Sequence, residues 1–405
     1  MSRIVHTSPL SSIVDSRAHR RGRWPPEIDL LLACARLRLE PGDLVRARAA
    51  VASGIDWNRL LRLAHVHGLL PLLQSHAASG AVPLPADARA DLDARARDST
   101  FRNLELTSEL VVLLRLCANH SIPVVPLKGP VLAQQIYASV ALRRISDLDL
   151  LLREEDLVRC IRLLDARGYQ LAPGSASAED TFDRRNSHHV SVVDPRRQIK
   201  VELHRCLLRP RARGRWELDT IAPRLEQMRF MGSPVSVLPP EDLLVYLCEH
   251  GAEHSWSRLE WLVAVAELLR SGQLRDWTRV MRWADELGTT RRVRAALQLA
   301  NELFGVAATG APARRDRSAR AANRTVVLRR LVRDPLRTLE SPTERFGYLF
   351  LTDRTTAARL RRCWTTLLTP SLADTRAFPL PKSLSLLYRA ARPLRLVARR
   401  IRRGI

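Results

Sequence analysis

Apolar residues recur at helical spacing from Pro25 onward. Leu30, Leu31, Leu32, Cys34 and Leu37 can line one face of a first helix, and Pro25 and Pro26 stand where a helix can start. Gly42 or Asp43 can open a second helix. Asp56 can cap a third, since Trp57, Leu60, Leu61, Leu63 and Ala64 follow at helical spacing. Further helices are predicted over 69–76, 85–99 and 101–119. The period then changes. Residues 122–127 are short, apolar and interrupted by two prolines, which predicts a strand at or near a sheet edge. Gly129 supplies a turn, Pro130 takes the first helical position, and 131–137 is the helix. Residues 146–152 alternate as a second strand. Helix 154–167 opens with three acids and stops at Gly168. Residues 173–183 read as a loop. Residues 189–193 and 198–204 form a hairpin across Asp194-Pro195-Arg196-Arg197.

One more short strand is predicted over 235–238, and helices return over 241–250, 256–270, 276–287 and 290–304. Residues 306–324 are poor in large apolar side chains and read as a linker or a frayed helix. Helical patterns resume over 326–332 and 346–368, and 384–405 is an arginine-studded helical pattern interrupted at Pro393. The expected organisation is a disordered basic N-terminus (1–24), a helical domain (25–120), a mixed α/β core (121–238), a second helical domain (239–305), a linker (306–325) and a basic helical tail (326–405). A chain of 405 residues is long enough for two or three domains.

The chemistry gathers in the α/β block. A strand places alternate side chains on one face, so Asp147 and Asp149 project together while Leu148 and Leu150 point inward. Two acids on one face repel unless a cation joins them. Mg²⁺ takes a few carboxylates together with waters and phosphate oxygens. Lys200, Glu202 and His204 share a face of the later strand. If that strand neighbours the first, Glu202 completes a three-carboxylate site of the kind used in two-metal phosphoryl transfer. The bland alternative makes Asp147 and Asp149 the solvent face of an edge strand. Lys128 and Gly129, between a strand and a helix, can bind phosphates through the turn amides and the ammonium charge, or can form an ordinary turn. Arg143 can meet a phosphate, pair with an acid or sit exposed. Among the histidines, His189 is expected on a polar cleft rim and His204 behind the acids. His250 and His254 have an i, i+4 spacing that can hold zinc, but Gly251 lies between them, and packing or cleft-facing roles are expected. His65 and His67 cannot share a helical face and are expected at a helix surface or end.

Composition changes this picture little. Six cysteines are scattered without Cys-x-x-Cys spacing, which argues against a zinc module and for reduced thiols in a cytoplasmic setting. No apolar run is long enough to span a membrane, and no signal peptide is expected at the N-terminus. The net charge of +24 suggests nucleic acid, but the arginines are spread along the whole chain instead of clustering. Nucleic-acid binding is therefore not favoured. Only three residues are lysine (Lys128, Lys200 and Lys382), so a lysine beside Gly129 stands out. The arginines of the tail leave a peripheral contact with anionic membrane or RNA as a rival function.

These residues resemble the nucleotidyltransferase superfamily with a polymerase-β-like fold, and within it the family of uncharacterised nucleotidyltransferases. The resemblance is carried by Lys128-Gly129, by Arg143 four residues before Ser146-Asp147-Leu148-Asp149, and by Glu202-Leu203-His204. Ile55-Asp56-Trp57, the run from Ala64 to Leu72, Gly168-Tyr169, Arg258 to Leu262 and the tail from Leu380 to Leu396 extend it over most of the chain after Trp24. It implies an α+β fold with a small mixed sheet between N- and C-terminal helical domains. It also implies transfer of a nucleoside monophosphate from an NTP, ATP by expectation, to an unidentified acceptor, with Mg²⁺ or Mn²⁺. Asp147, Asp149 and Glu202 would be catalytic and metal-binding, and Lys128, Gly129, Arg143 and Ser146 would bind the nucleotide. Members of the family look like accessory enzymes of peptide or polysaccharide biosynthesis. Two positions depart from the pattern. Gly129-Pro130 replaces Gly-Ser or Gly-Gly at the phosphate turn, and Ala264 stands where relatives carry an Asp. A catalytically degenerate nucleotide-binding protein is the alternative.

Overall fold

The computed structural model describes residues 24–172, 189–208, 216–311, 316–337, 342–353, 355–368 and 387–402. The expected loop at 173–183, His188 and nearly all of the basic N-terminus lie outside these residues. The fold is mixed α+β. Helices α1 (Pro26–Cys34), α2 (Pro41–Ala52), α3 (Trp57–Val66), α4 (Leu70–Ala78) and α5 (Ala86–Asn119) precede a five-stranded sheet. Asp56 caps α3 as expected, accepting a hydrogen bond from the Arg59 amide at 2.9 Å. The two helices predicted over 85–119 are one. Thr100 donates its hydroxyl to the Ala96 carbonyl at 2.9 Å, so the polar Ser99-Thr100 pair is accommodated inside a continuous helix.

The sheet is built from β1 (Val124–Pro126), β2 (Leu148–Leu152), β3 (Gln170–Leu171), β4 (His189–Asp194) and β5 (Ile199–His204), in the order β1-β2-β5-β4-β3. The first strand is at an edge, as its prolines require. Only the β2–β5 pair is parallel. Helices α6 (Gly129–Tyr137) and α7 (Leu157–Asp165) follow β1 and β2. Strand β2 begins two residues later than expected, at Leu148, so Asp147 stands just ahead of it.

A two-stranded hairpin, β6 (Glu226–Phe230) and β7 (Ser233–Val237), comes next. Only its second strand was legible, because β6 buries little besides Phe230. Its turn, Met231-Gly232, has φ of 46° and 82°, the pair of positive values that a tight hairpin uses.

The sheet has two different faces. Leu148, Leu150, Leu152, Val190, Val192, Ile199, Val201 and Leu203 pack with Leu106, Leu110 and Leu113 of α5 and with Leu157 and Leu164 of α7. On the other side, Val125, Leu127 and Leu151 join a second cluster built from the helices. That cluster draws on α1, α3 and α4 and also on α8 (Pro240–Glu253), α9 (Leu259–Arg270), α10 (Trp277–Glu286) and α11 (Thr290–Phe304). The helices before and after the sheet thus share one core. The residues expected as a linker include a packed helical stretch, Arg317–Ala322, continued by a π-helical turn at Asn323–Leu328, in which Ala319, Ala322 and Asn323 are buried. The helix predicted over 346–368 is two, Pro342–Thr352 and Thr356–Leu368. Asp353, just after the first, is buried and hydrogen-bonded to Arg292 and Arg362. The last helix, Leu387–Arg402, continues through Pro393. No helix among the described residues is long and apolar enough to cross a membrane.

Candidate active site

The acids meet because β2 and β5 are neighbours. Asp149 is the register partner of Glu202, and Glu202 is in turn opposite Ser191 of β4. Strand alternation then brings Lys200, Glu202 and His204 to the face that carries Asp149. The end of β1 supplies the next group. The Leu127 amide donates to the Asp149 carbonyl at 3.0 Å, which sets the following residue, Lys128, beside the Asp149 side chain. Lys128 Nζ lies 2.8 Å from Asp149 Oδ1. His204 Nε2 lies 3.1 Å from the same oxygen and 3.5 Å from Glu202 Oε2. Lys200 pairs with Glu202 Oε1, and His189 Nε2 is 3.9 Å from Glu202 Oε2. Asp149 is buried, at 2% exposure, and its Oδ2 has no hydrogen-bond partner among the described residues. A buried carboxylate oxygen left without a donor suits a cation.

Gly129 is needed where it stands. Its φ is +62°, and a Cβ there would lie 3.2 Å from the Asp147 carbonyl oxygen. The turn therefore passes directly over the residue that begins the acid pair. Asp147 is half-buried, and Ser146, exposed, donates its hydroxyl to Asp147 Oδ1 at 2.9 Å. Arg143 is buried, at 8% exposure. Among the described residues it has no carboxylate partner; Nη1 reaches only the Arg144 carbonyl, at 3.3 Å, and Nε has no partner at all. Of the three readings open to Arg143, exposure is thus excluded, and no ion pair with a described acid forms.

The charges act on one another strongly. Burial would raise the Asp149 carboxyl, but Lys128 and His204 hold it below the ordinary range. Burial likewise opposes ionisation of Glu202, yet His204, His189 and Lys200 pull its pKa far down. Asp147 goes the other way: burial and the neighbouring Asp149 charge raise it. Burial disfavours charge on Lys128 and on His204, but their acid partners outweigh it and raise both. At neutral pH the site therefore holds ionised Asp149 and Glu202 against a charged Lys128.

Residues 53–305, more than half of the chain, match the family described as uncharacterised nucleotidyltransferases. The chain belongs to that family. No curated protein and no solved structure matches it. The match spans the whole sheet and every residue of the site described above.

Asn103 and Tyr246 contribute to this site and were not legible in the sequence. Asn103, fully buried on α5, donates to the Val140 and Arg143 carbonyls at 2.7 and 2.8 Å and accepts from the Ile145 amide at 3.1 Å. It clamps the segment that delivers Arg143 and the acids. In the sequence it is a polar residue within a long helical pattern, with nothing to mark it. Tyr246 of α8 is buried close enough to Lys128 for each to influence the other's charge. His250, one turn later on α8, is half-buried, and burial and Lys128 hold its imidazole well below the ordinary range. The i, i+4 spacing of Tyr246 and His250 was the available signal.

Proposed function

We propose that residues 121–238 form a polymerase-β-like catalytic core that transfers a nucleoside monophosphate from an NTP to a hydroxyl or phosphate acceptor. The helical segments 25–120 and 239–305 would flank it and shape the acceptor side. The observation that carries this reading is the pairing of Asp149 with Glu202 across parallel strands, with Lys128 at 2.8 Å from Asp149. Membership of the family supports the reaction class. The carboxylates of Asp147, Asp149 and Glu202, with the unpartnered Asp149 Oδ2, fit a divalent cation, Mg²⁺ or Mn²⁺. When bound, such a cation supplies charge neutralisation for the triphosphate and a lowered pKa for the acceptor hydroxyl.

The chain's own groups do the rest. The Gly129 turn and Lys128 bind phosphate oxygens, and Ser146 orients Asp147 through its hydroxyl. Arg143, a buried guanidinium without a described acid partner, is suited to the triphosphate of an NTP such as ATP. Glu202, held ionised by its neighbours, serves better as a ligand and hydrogen-bond acceptor for the incoming hydroxyl than as a store for its proton. His204 fixes both Asp149 and Glu202 in place.

A second reading, nucleotide binding without chemistry, draws on one observation: Lys128 and Lys200 already pair with Asp149 and Glu202. The two readings separate in one experiment. The chain is incubated with NTP labelled on the α-phosphate and with small-molecule and macromolecular fractions of a cell extract. Transfer predicts label in a new product with the native chain and none with Asp149→Asn. Cation-dependent NTP binding without labelled product would favour the second reading, and equal labelling by both proteins would overturn the site.

A further inference from the structure

The imidazoles beside Glu202 bring in a different donor chemistry. His189 and His204 are register partners across β4 and β5, and Glu202 lies two residues before His204 on the same strand face. Glu202 Oε2 is 3.5 Å from His204 Nε2 and 3.9 Å from His189 Nε2. One ligand atom from each of the three residues lies within 4.8 Å of the other two. Donors sharing one ion at metal–ligand distances of about 2.0–2.2 Å stand about 3–3.5 Å apart. The separations of 3.5 and 3.9 Å from Glu202 Oε2 are close to that spacing, and His189 is half-buried at its edge. Asp149 Oδ1, 3.1 Å from His204 Nε2, adds an oxygen at its back.

Mg²⁺ prefers oxygen and keeps its waters, whereas imidazole nitrogen suits first-row transition cations. We infer that His189, Glu202 and His204 form a site for a divalent transition cation of the Mn²⁺–Zn²⁺ class, selected against Mg²⁺ by its two nitrogens. The inference goes beyond nucleotidyl transfer, because these donors converge whether or not the chain turns over a nucleotide. It also divides the acids: Glu202 belongs to the nitrogen-containing site, and Asp147 lies on the oxygen-only side. The other histidine cluster, His250 and His254 with ring centroids 4.8 Å apart, packs on Trp261. It provides the control.

The test is calorimetric titration of the metal-stripped full chain with Mn²⁺ and, separately, Mg²⁺, without nucleotide. Spin-echo spectroscopy of the Mn²⁺-loaded protein then looks for nitrogen coupling. The expected result is one Mn²⁺ per chain, bound at least about tenfold more tightly than Mg²⁺, with nitrogen coupling present. His189→Asn should weaken Mn²⁺ by at least about tenfold, the scale seen for losses around metal sites, and should reduce the coupling. His250→Asn should change neither. His189→Gln, checked for native thermal unfolding, guards against a folding defect in the first variant. Equal affinity for the two ions, absence of nitrogen coupling, or a loss that follows His250→Asn would overturn the site. Absent coupling with intact transfer in Mg²⁺ would overturn this site alone and leave the transfer reading standing.

Discussion

Replacing Lys128 by Met tests the electrostatic centre of the site. The ammonium is 2.8 Å from Asp149 Oδ1, and the two side chains are only 11% and 1% exposed. Removing one member of a buried pair leaves the other charge uncompensated, which costs about 3–5 kcal/mol. His204 remains 3.1 Å from the same oxygen and offsets part of the loss. The lower end of that range, about 3 kcal/mol, is therefore expected. Urea unfolding followed by far-ultraviolet circular dichroism reads it, with the denaturant slope checked for constancy. Asp149→Leu in the Lys128→Met background removes the orphaned carboxylate as well, so the double variant should lose less than the sum of the single losses. The non-additivity should be at least about 1 kcal/mol, as for contacting residues in one network. A Lys128→Met loss under about 1 kcal/mol, the range of an exposed pair, would refute the reasoning.

Arg143→Gln should raise the KM for NTP at least about tenfold, the worth of one charge-assisted contact, while the unfolding midpoint stays near native; an unchanged KM would remove Arg143 from the phosphate site. His67 is buried, with Nε2 2.8 Å from the Pro335 carbonyl and Nδ1 accepting from the Leu259 amide, and burial lowers its pKa to about 4. A depressed histidine holds its stability above the unfolded value of 6.5 and loses it as pH falls toward 4, by about 3 kcal/mol. The pH slope of urea midpoints between pH 7 and 4.5 should flatten in His67→Gln, and an unchanged slope would count against a neutral buried His67. Gly251→Ala should destabilise by about 3 kcal/mol, the upper end for overpacking, because a Cβ would lie 2.2 Å from the Trp256 ring, which is tied to Tyr348 Oη at 2.8 Å. A thermal midpoint equal to native would show that the ring can move aside.

What could be read from the chain follows from how local each signal is. Asp149 and Glu202 were legible because each interrupts an apolar strand at period two, and Gly129 because it sits between a strand and a helix. The outcome at Lys128 was not legible. Its partner depends on the Leu127–Asp149 backbone bond, a contact between separate strands. Helix α5 was divided at Ser99-Thr100 because the hydroxyl bond to Ala96 that keeps it whole leaves no trace in periodicity. Strand β6 was missed because Glu226, Gln227 and Arg229 face solvent and give no apolar alternation. Asn103 shows the same limit from inside the core, since its three partners lie about 40 residues away along the chain.

Pyrophosphate release is the most direct measure of nucleotidyl transfer by this chain. The chain is incubated with ATP, Mg²⁺ or Mn²⁺ and the extract fraction that yields labelled product, alongside Asp149→Asn and Glu202→Gln. Pyrophosphate is expected in step with product for the native chain, abolished by chelation, and at background levels for both variants when assayed at a temperature where circular dichroism shows each to be folded. Pyrophosphate formed at the native rate by Asp149→Asn would contradict it.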